Sequence, residues 1–160
     1  MNVSSTFQEF LQNLAIDNKE EISNRYGEIT KVLNIKYRNT ESKTSNSLQV
    51  GSYGRFTAIK SISDLDMVYI LPWIEYERFK NGRQSALLQE VKKTIQSRYP
   101  KTDMRGDGQV VVISFINYQI EVLPAFEYED GSFLYPDTND GGSWKTTKPR
   151  LEIKAISDLH

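Results

Sequence analysis

The amino-acid sequence predicts an α+β domain: a mixed or antiparallel sheet flanked by helices, with a long helical N-terminus. Three observations carry this. Apolar residues recur at helical spacing before Asn39, a second helical stretch stops at Pro100, and two β-rich runs lie back to back between Val110 and Leu123.

At the N-terminus, Ser4 or Ser5 can cap a helix on which Phe7, Phe10, Leu11 and Leu14 share a face. A second helix is predicted from about Asp17, with the stripe Ile22, Tyr26, Ile29, Val32, Leu33 and Tyr37, so that helices occupy 4–38. The polar stretch Asn39 to Ser47 reads as a loop. Leu65 to Leu71 is rich in β-formers and stops at Pro72, as a strand would. Phe79 to Tyr99 places Leu87, Leu88, Val91 and Ile95 on one helical face, ended by Pro100. Val110 to Phe115 and Tyr118 to Leu123 then read as an antiparallel hairpin. Pro124 to Pro149 has no clear period and is expected to be a long loop, of the kind that is usually functional or poorly ordered.

With 160 residues, the chain fits about one domain. Its 20 Lys+Arg against 21 Asp+Glu give no strong nucleic-acid signal, because a mainly electrostatic polyanion binder needs excess positive charge. The absence of cysteine excludes disulfides, thiolate catalysis and cysteine-based zinc sites. The one histidine is the final residue, His160, which removes Ser-His-Asp triads, His-pair zinc sites and most histidine bases. No apolar run reaches the roughly 18 to 20 residues of a membrane span, and MNVSSTFQEF lacks a basic stretch followed by an apolar core. A non-exported, cytoplasmic protein without a membrane partner is expected.

The chemistry is concentrated in Gln49 to Leu71. Asp64 and Asp66 flank Leu65, and the strand period of two puts both carboxylates on one face with Cα atoms about 6.6 Å apart. Two like charges that close favour a cation between them, and Mg²⁺ prefers hard oxygen ligands of this kind. The same pair would also serve as a solvated Asp-Leu-Asp turn. Gly51 has no Cβ and lets backbone approach a phosphate; Ser52 adds a hydroxyl, and Arg55 to Ile62 can supply the short helix behind them. Arg55 is open between phosphate contact and a salt bridge.

The stretch GSYGRFTAIKSISDLD resembles the signature of the DNA polymerase β-type nucleotidyltransferase superfamily, and within it the bacterial cGAS-like and DncV-like enzymes (CD-NTases). The matching positions are Gly51, Ser52, Arg55, Thr57, Ile59, Ser63, Asp64 and Asp66. That resemblance implies a third carboxylate, for which the candidate is Glu121 before Val122, Leu123, Pro124 and Ala125. Many members carry Asp there, and Glu121 would otherwise be an outward strand residue between inward Ile120 and Val122. Gly141, Gly142, Ser143, Trp144 and Pro149 are similar to a recurrent Gly-Gly-x-Trp then Pro arrangement. Trp144 and Tyr135 would either stack on a base or pin the loop to the core.

Other motifs do not complete. No Gly-Lys-Ser/Thr is present, Gly106-Asp107-Gly108 lacks a third glycine, and Lys92-Lys93 with Arg98 to Lys101 suits a solvated helix end. The resemblance implies nucleoside triphosphates as substrates, bound at Gly51, Ser52, Asp64 and Asp66, with two Mg²⁺ ions (or Mn²⁺) on Asp64, Asp66 and Glu121. It implies a cyclic di- or trinucleotide product that acts on a downstream effector in bacterial antiphage defence, under a regulatory partner protein. Linear oligonucleotide synthesis, a toxin-type enzyme that modifies a target, and a non-catalytic nucleotide-binding module are the alternatives. Such enzymes have a helical C-terminal half, so residues 1–160, with a core at 48–150, are expected to be a catalytic core that turns over poorly alone.

Overall fold

The computed structural model describes residues 3–49, 65–116 and 118–147, with backbone only for 3–19 and 65–66. The two helices expected before Asn39 are one, α1 (Val3–Arg38). Between Leu14 and Asp17 stand Ala15 and Ile16, with no glycine or proline to break the run. The helix ends where Asn39 turns left-handed at φ 54°.

β1 (Ser47–Gln49) lies antiparallel to β2 (Leu65–Ile70). Pro72 then opens a 3-10 turn at Trp73–Glu75, which runs into the single helical turn α2 (Tyr76–Phe79). The helix expected from Phe79 begins later, as α3 (Gln84–Arg98), because Gly82 takes φ 76° and separates it from α2. β3 (Asp103–Asp107) was not foreseen; it pairs with β4 (Val110–Ser114) across a turn whose first residue, Gly108, has φ 63°. The expected hairpin is present, β4 pairing with β5 (Gln119–Glu127) from Val111↔Val122 to Ser114↔Gln119. The stretch expected as a long loop carries two more strands, β6 (Phe133–Asp137) and β7 (Ser143–Thr146).

The strands run β1-β2-β5-β4-β3, and the far end of β5 continues into β6 and β7. β2 and β5 are parallel; the other pairs are antiparallel. Pro124, in the middle of β5, lies between the part paired with β4 and the part paired with β6, so its missing N–H breaks no ladder bond on that side.

One face of the sheet is covered by helices. Tyr26, Ile29, Leu33 and Tyr37 of α1 and Leu87, Leu88, Val91 and Ile95 of α3 pack on Met67, Tyr69, Val111, Ile113, Ile120 and Val122. Each fully buried aliphatic side chain among them contributes about 1.5–3 kcal/mol. Alternate residues Val68, Ile70, Val110, Val112, Leu123 and Ala125 make a second apolar cluster with Phe133 and Tyr135. Among the described residues no helix is long and apolar enough to cross a membrane.

Candidate active site

Parallel pairing of β2 with β5 brings together two acidic residues from distant parts of the chain. The register runs Leu65↔Ile120, Asp66↔Glu121, Met67↔Val122 and onward to Ile70↔Ala125. Partners in neighbouring strands share a face and stand about 4.8 Å apart. Met67 and Val122 pack on the helices, whereas Val68 and Leu123 belong to the other cluster. By alternation Asp66 and Glu121 take positions on the face away from the helices. Glu121 is not a solvated strand residue there: it is 2% exposed. A carboxylate is seldom this deeply buried in a strand, because burial is costly unless a cation or hydrogen bonds compensate it.

The same face is graded along the strands. Toward the start of β5 it is polar: Gln119 is paired with Ser114 and donates from Nε2 to its Oγ at 3.4 Å. Toward the end it is apolar, with Val68, Ile70, Leu123 and Ala125. The polar end is where β2 begins, directly after Asp64. Gly51, Ser52, Arg55, the expected short helix to Ile62, and Asp64 lie outside the described residues, and Asp66 is placed by its backbone alone. Among the described residues no group of three His, Cys, Asp or Glu side chains could hold a metal ion.

The approach to this motif is positioned by a residue that periodicity does not single out. Asn34 is fully buried in α1. Its Nδ2 donates to the carbonyls of Ser42 at 3.0 Å and Ser45 at 2.9 Å. Its Oδ1 accepts from Asn46 Nδ2 at 3.0 Å and from the Tyr69 hydroxyl at 2.8 Å. Burial pushes the Tyr69 phenol up to about 12, so it stays protonated and donating. One amide thus ties α1, the 39–46 connection and β2 together. Thr30 adds a hydroxyl pair with Ser47 at 2.7 Å, and β1 runs beside β2 as far as Gln49, opposite Met67.

The second motif resolves into structural roles. Gly141 and Gly142 take φ of 85° and 95°, closing the 3-10 turn (Asn139–Gly141) that leads into β7. A Cβ on Gly142 would stand 2.7 Å from Gln84 Oε1. Gly142→Ala is therefore expected to destabilise the domain by about 1–3 kcal/mol, read as a lower denaturant midpoint; an unchanged midpoint would show that Gln84 and the turn adjust freely. Trp144 is a pin: its Nε1 donates to Lys80 O at 3.1 Å and its ring meets Tyr76 at 5.2 Å and Phe126 at 6.0 Å. Tyr135 is buried, at 1% exposure. At the end of β6, burial pushes the Asp137 carboxyl up, but hydrogen bonds from Lys145, Gln109 and the Asn139 backbone outweigh it and hold the group below its ordinary value.

Residues 1–159 match the model of the Second Messenger Oligonucleotide or Dinucleotide Synthetase (SMODS) domain. The chain belongs to this family. The family read from Gly51 to Asp66 is borne out, and with it the polymerase β-like nucleotidyltransferase core. Among curated proteins, none matches the sequence of this SMODS domain. Among solved structures, it is similar to CdnC of E. coli MS115-1, determined with ATP, at TM-score 0.56 and 16% identity over 92% of this chain and 46% of that one. Its likeness to the CdnE cyclic dinucleotide synthase of Elizabethkingia meningoseptica, determined with GTP and Apcpp, has TM-score 0.55 and 17% identity over 84% and 51%. The CD-NTase CdnG of Bradyrhizobium diazoefficiens, in complex with GTP, gives TM-score 0.52 and 14% identity over 90% and 41%. At these identities the likeness is one of fold. The SMODS domain described here spans about half the length of the solved chains it matches.

Proposed function

We propose that this SMODS domain is the nucleotidyl-transferring core of a metal-dependent synthase that joins nucleoside triphosphates into a cyclic di- or trinucleotide. The observation that carries the reading is the register Asp66↔Glu121, with Glu121 buried, at the end of the sheet where the Gly51 to Asp66 motif enters β2. The donor set is one of hard oxygens, which suits Mg²⁺, with Mn²⁺ as substitute. Asp64, Asp66 and Glu121 would hold two such ions. When bound, the metal supplies charge neutralisation on the phosphates and a lowered pKa for the acceptor hydroxyl.

The chain's own residues bind and orient. Gly51 admits the β- and γ-phosphates of the donor to the backbone, and Ser52 gives them a hydroxyl donor. The acceptor hydroxyl attacks the donor α-phosphorus in line, its proton leaves to solvent, the bond to the bridging oxygen breaks, and pyrophosphate departs. No histidine is needed for this chemistry, in keeping with a chain whose single histidine is terminal. The product would signal to a downstream effector in bacterial antiphage defence, in the cytoplasm. A regulatory protein partner is supported by a structural neighbour, CdnC, whose structure was determined as a complex with HORMA-deltaN.

The test is product analysis of the full-length native protein with all four labelled nucleoside triphosphates and Mg²⁺, followed by phosphatase. A phosphatase-resistant product of cyclic mass is expected. Products that all lose terminal phosphate overturn cyclisation, and an absence of pyrophosphate overturns nucleotidyl transfer.

A further inference from the structure

At the end of β2 and β5 remote from Asp66 and Glu121, the described residues leave a group of large apolar side chains open. Trp73 and Tyr128 are each 39% exposed and Ile74 is 77% exposed. Two segments supply them: Trp73 and Ile74 open the 3-10 turn after Pro72, and Tyr128 follows the last residue of β5. Six residues of extended strand, about 20 Å, separate Glu121 from Glu127, so the patch stands apart from the candidate active site.

Trp73 is a fixed platform. Its Nε1 donates to the Glu127 carbonyl at 2.6 Å, and its ring centroid lies 5.2 Å from that of Phe126 and 5.1 Å from that of Tyr128. Tyr76 meets it edge-on at 5.6 Å. An indole held in this way has little rotamer freedom left to lose on docking. Single exposed apolar residues are ordinary, but contiguous ones around a rigid tryptophan mark an interaction surface.

The charge around the patch selects what docks there. Glu75 and Glu77 lie on the turn side, and Glu127, Glu129 and Asp130 on the strand side. The cations of the same turn are already engaged, Arg78 with Glu75 and Glu90, and Lys80 with Glu77. The whole chain is nearly balanced, at 20 Lys+Arg against 21 Asp+Glu, so five carboxylates against two cations make a local acidic field. Such a field repels phosphate, which disfavours nucleic acid and an anionic membrane, and it attracts Lys and Arg. Exposed Trp and Tyr rings take those cations directly on their faces.

We propose that this patch docks a basic segment of a protein partner, with an aliphatic side chain against Ile74 and a Lys or Arg over the Trp73 and Tyr128 rings. The assignment does not depend on the nucleotidyltransferase reading.

The experiment selects short peptides from a random library on the full-length native protein. The selected peptides, synthesised and labelled, are then measured against the unaltered protein, Ile74→Ser and Glu129→Lys. They are expected to be rich in Arg or Lys beside Leu, Ile or Val. Ile74→Ser should weaken their binding by about fivefold or more, the scale of a contributing interface residue. Glu129→Lys should slow association and flatten its dependence on salt. Selected peptides without excess positive charge overturn the assignment, as does a selection that yields none, or binding that either variant leaves unchanged. The exposure of Ile74 predicts an unchanged unfolding temperature in Ile74→Ser. A marked fall would show that the full-length chain itself covers the patch, and would overturn the proposal. A concentration-dependent dimer that Ile74→Ser abolishes would assign the patch to a second copy and overturn it likewise.

Discussion

Asp66→Asn, alone or with Asp64→Asn, is expected to reduce Mg²⁺-dependent pyrophosphate release by at least roughly a thousandfold, about 4 kcal/mol of transition-state stabilisation. The amide keeps the volume of the side chain and removes its charge, so on the proposed reading a bound metal would lose a hard anionic ligand. Asp66 stands in register with Glu121, which is 2% exposed. Glu121→Gln should likewise lose turnover, since the amide keeps the size of the buried side chain and removes its charge. Pyrophosphate release within tenfold of the unaltered enzyme in Asp66→Asn would sink the assignment. An unfolding temperature that falls steeply in Glu121→Gln would make Glu121 a structural residue.

Asn34→Ala is expected to have the largest effect on stability. Asn34 makes four hydrogen bonds from a fully buried position, to the Ser42 and Ser45 carbonyls, the Asn46 amide and the Tyr69 hydroxyl. The truncation strands those partners, and a buried polar group left unmade costs about 1–3 kcal/mol. Allowing for water reaching the 39–46 connection, a total of about 3–5 kcal/mol is expected, a large fraction of a domain's usual 5–15 kcal/mol. At about 2–4 °C per kcal/mol, the Tm should fall by roughly 10 °C or more. Asn34→Asp is the informative companion. It keeps an acceptor for Tyr69 and Asn46 but turns both Ser carbonyls against a carboxylate, so it too should destabilise. A Tm within about 2 °C of the unaltered protein in Asn34→Ala would show that the connection holds itself in place.

How much was legible beforehand follows from what each element depends on. The stripe Tyr26, Ile29, Leu33 and Tyr37, the strand opening at Leu65 and the hairpin of β4 with β5 were readable because each carries its own periodic pattern. β3 was not: Asp103, Arg105, Gly106 and Asp107 are poor strand formers, and the segment is extended because β4 pairs with it. The signal that could have found it was Gly108 at the tight turn before Val110. β6 and β7 were missed for a related reason. Pro136 and the pair Gly141 and Gly142 read as loop, yet Pro136 lies beyond the part of β6 that pairs with β5, and the left-handed turn before β7 accommodates the glycines. Trp144, open between stacking on a base and pinning the loop, is a pin because Lys80 and Tyr76 meet it from another element.

By itself the sequence determined the residue types at hand: no cysteine, one terminal histidine, and a Gly-Ser pair followed by acidic residues in a stretch that resembles the family the chain belongs to. Local rules of this kind act over a few residues, where side-chain type and period are enough. Only the tertiary structure decided that Glu121 is Asp66's neighbour and that Asn34 anchors the approach to the motif. Each of those depends on strand register or on a hydrogen bond between distant segments. Register is set by how whole faces bury against the core, which no window of the sequence contains.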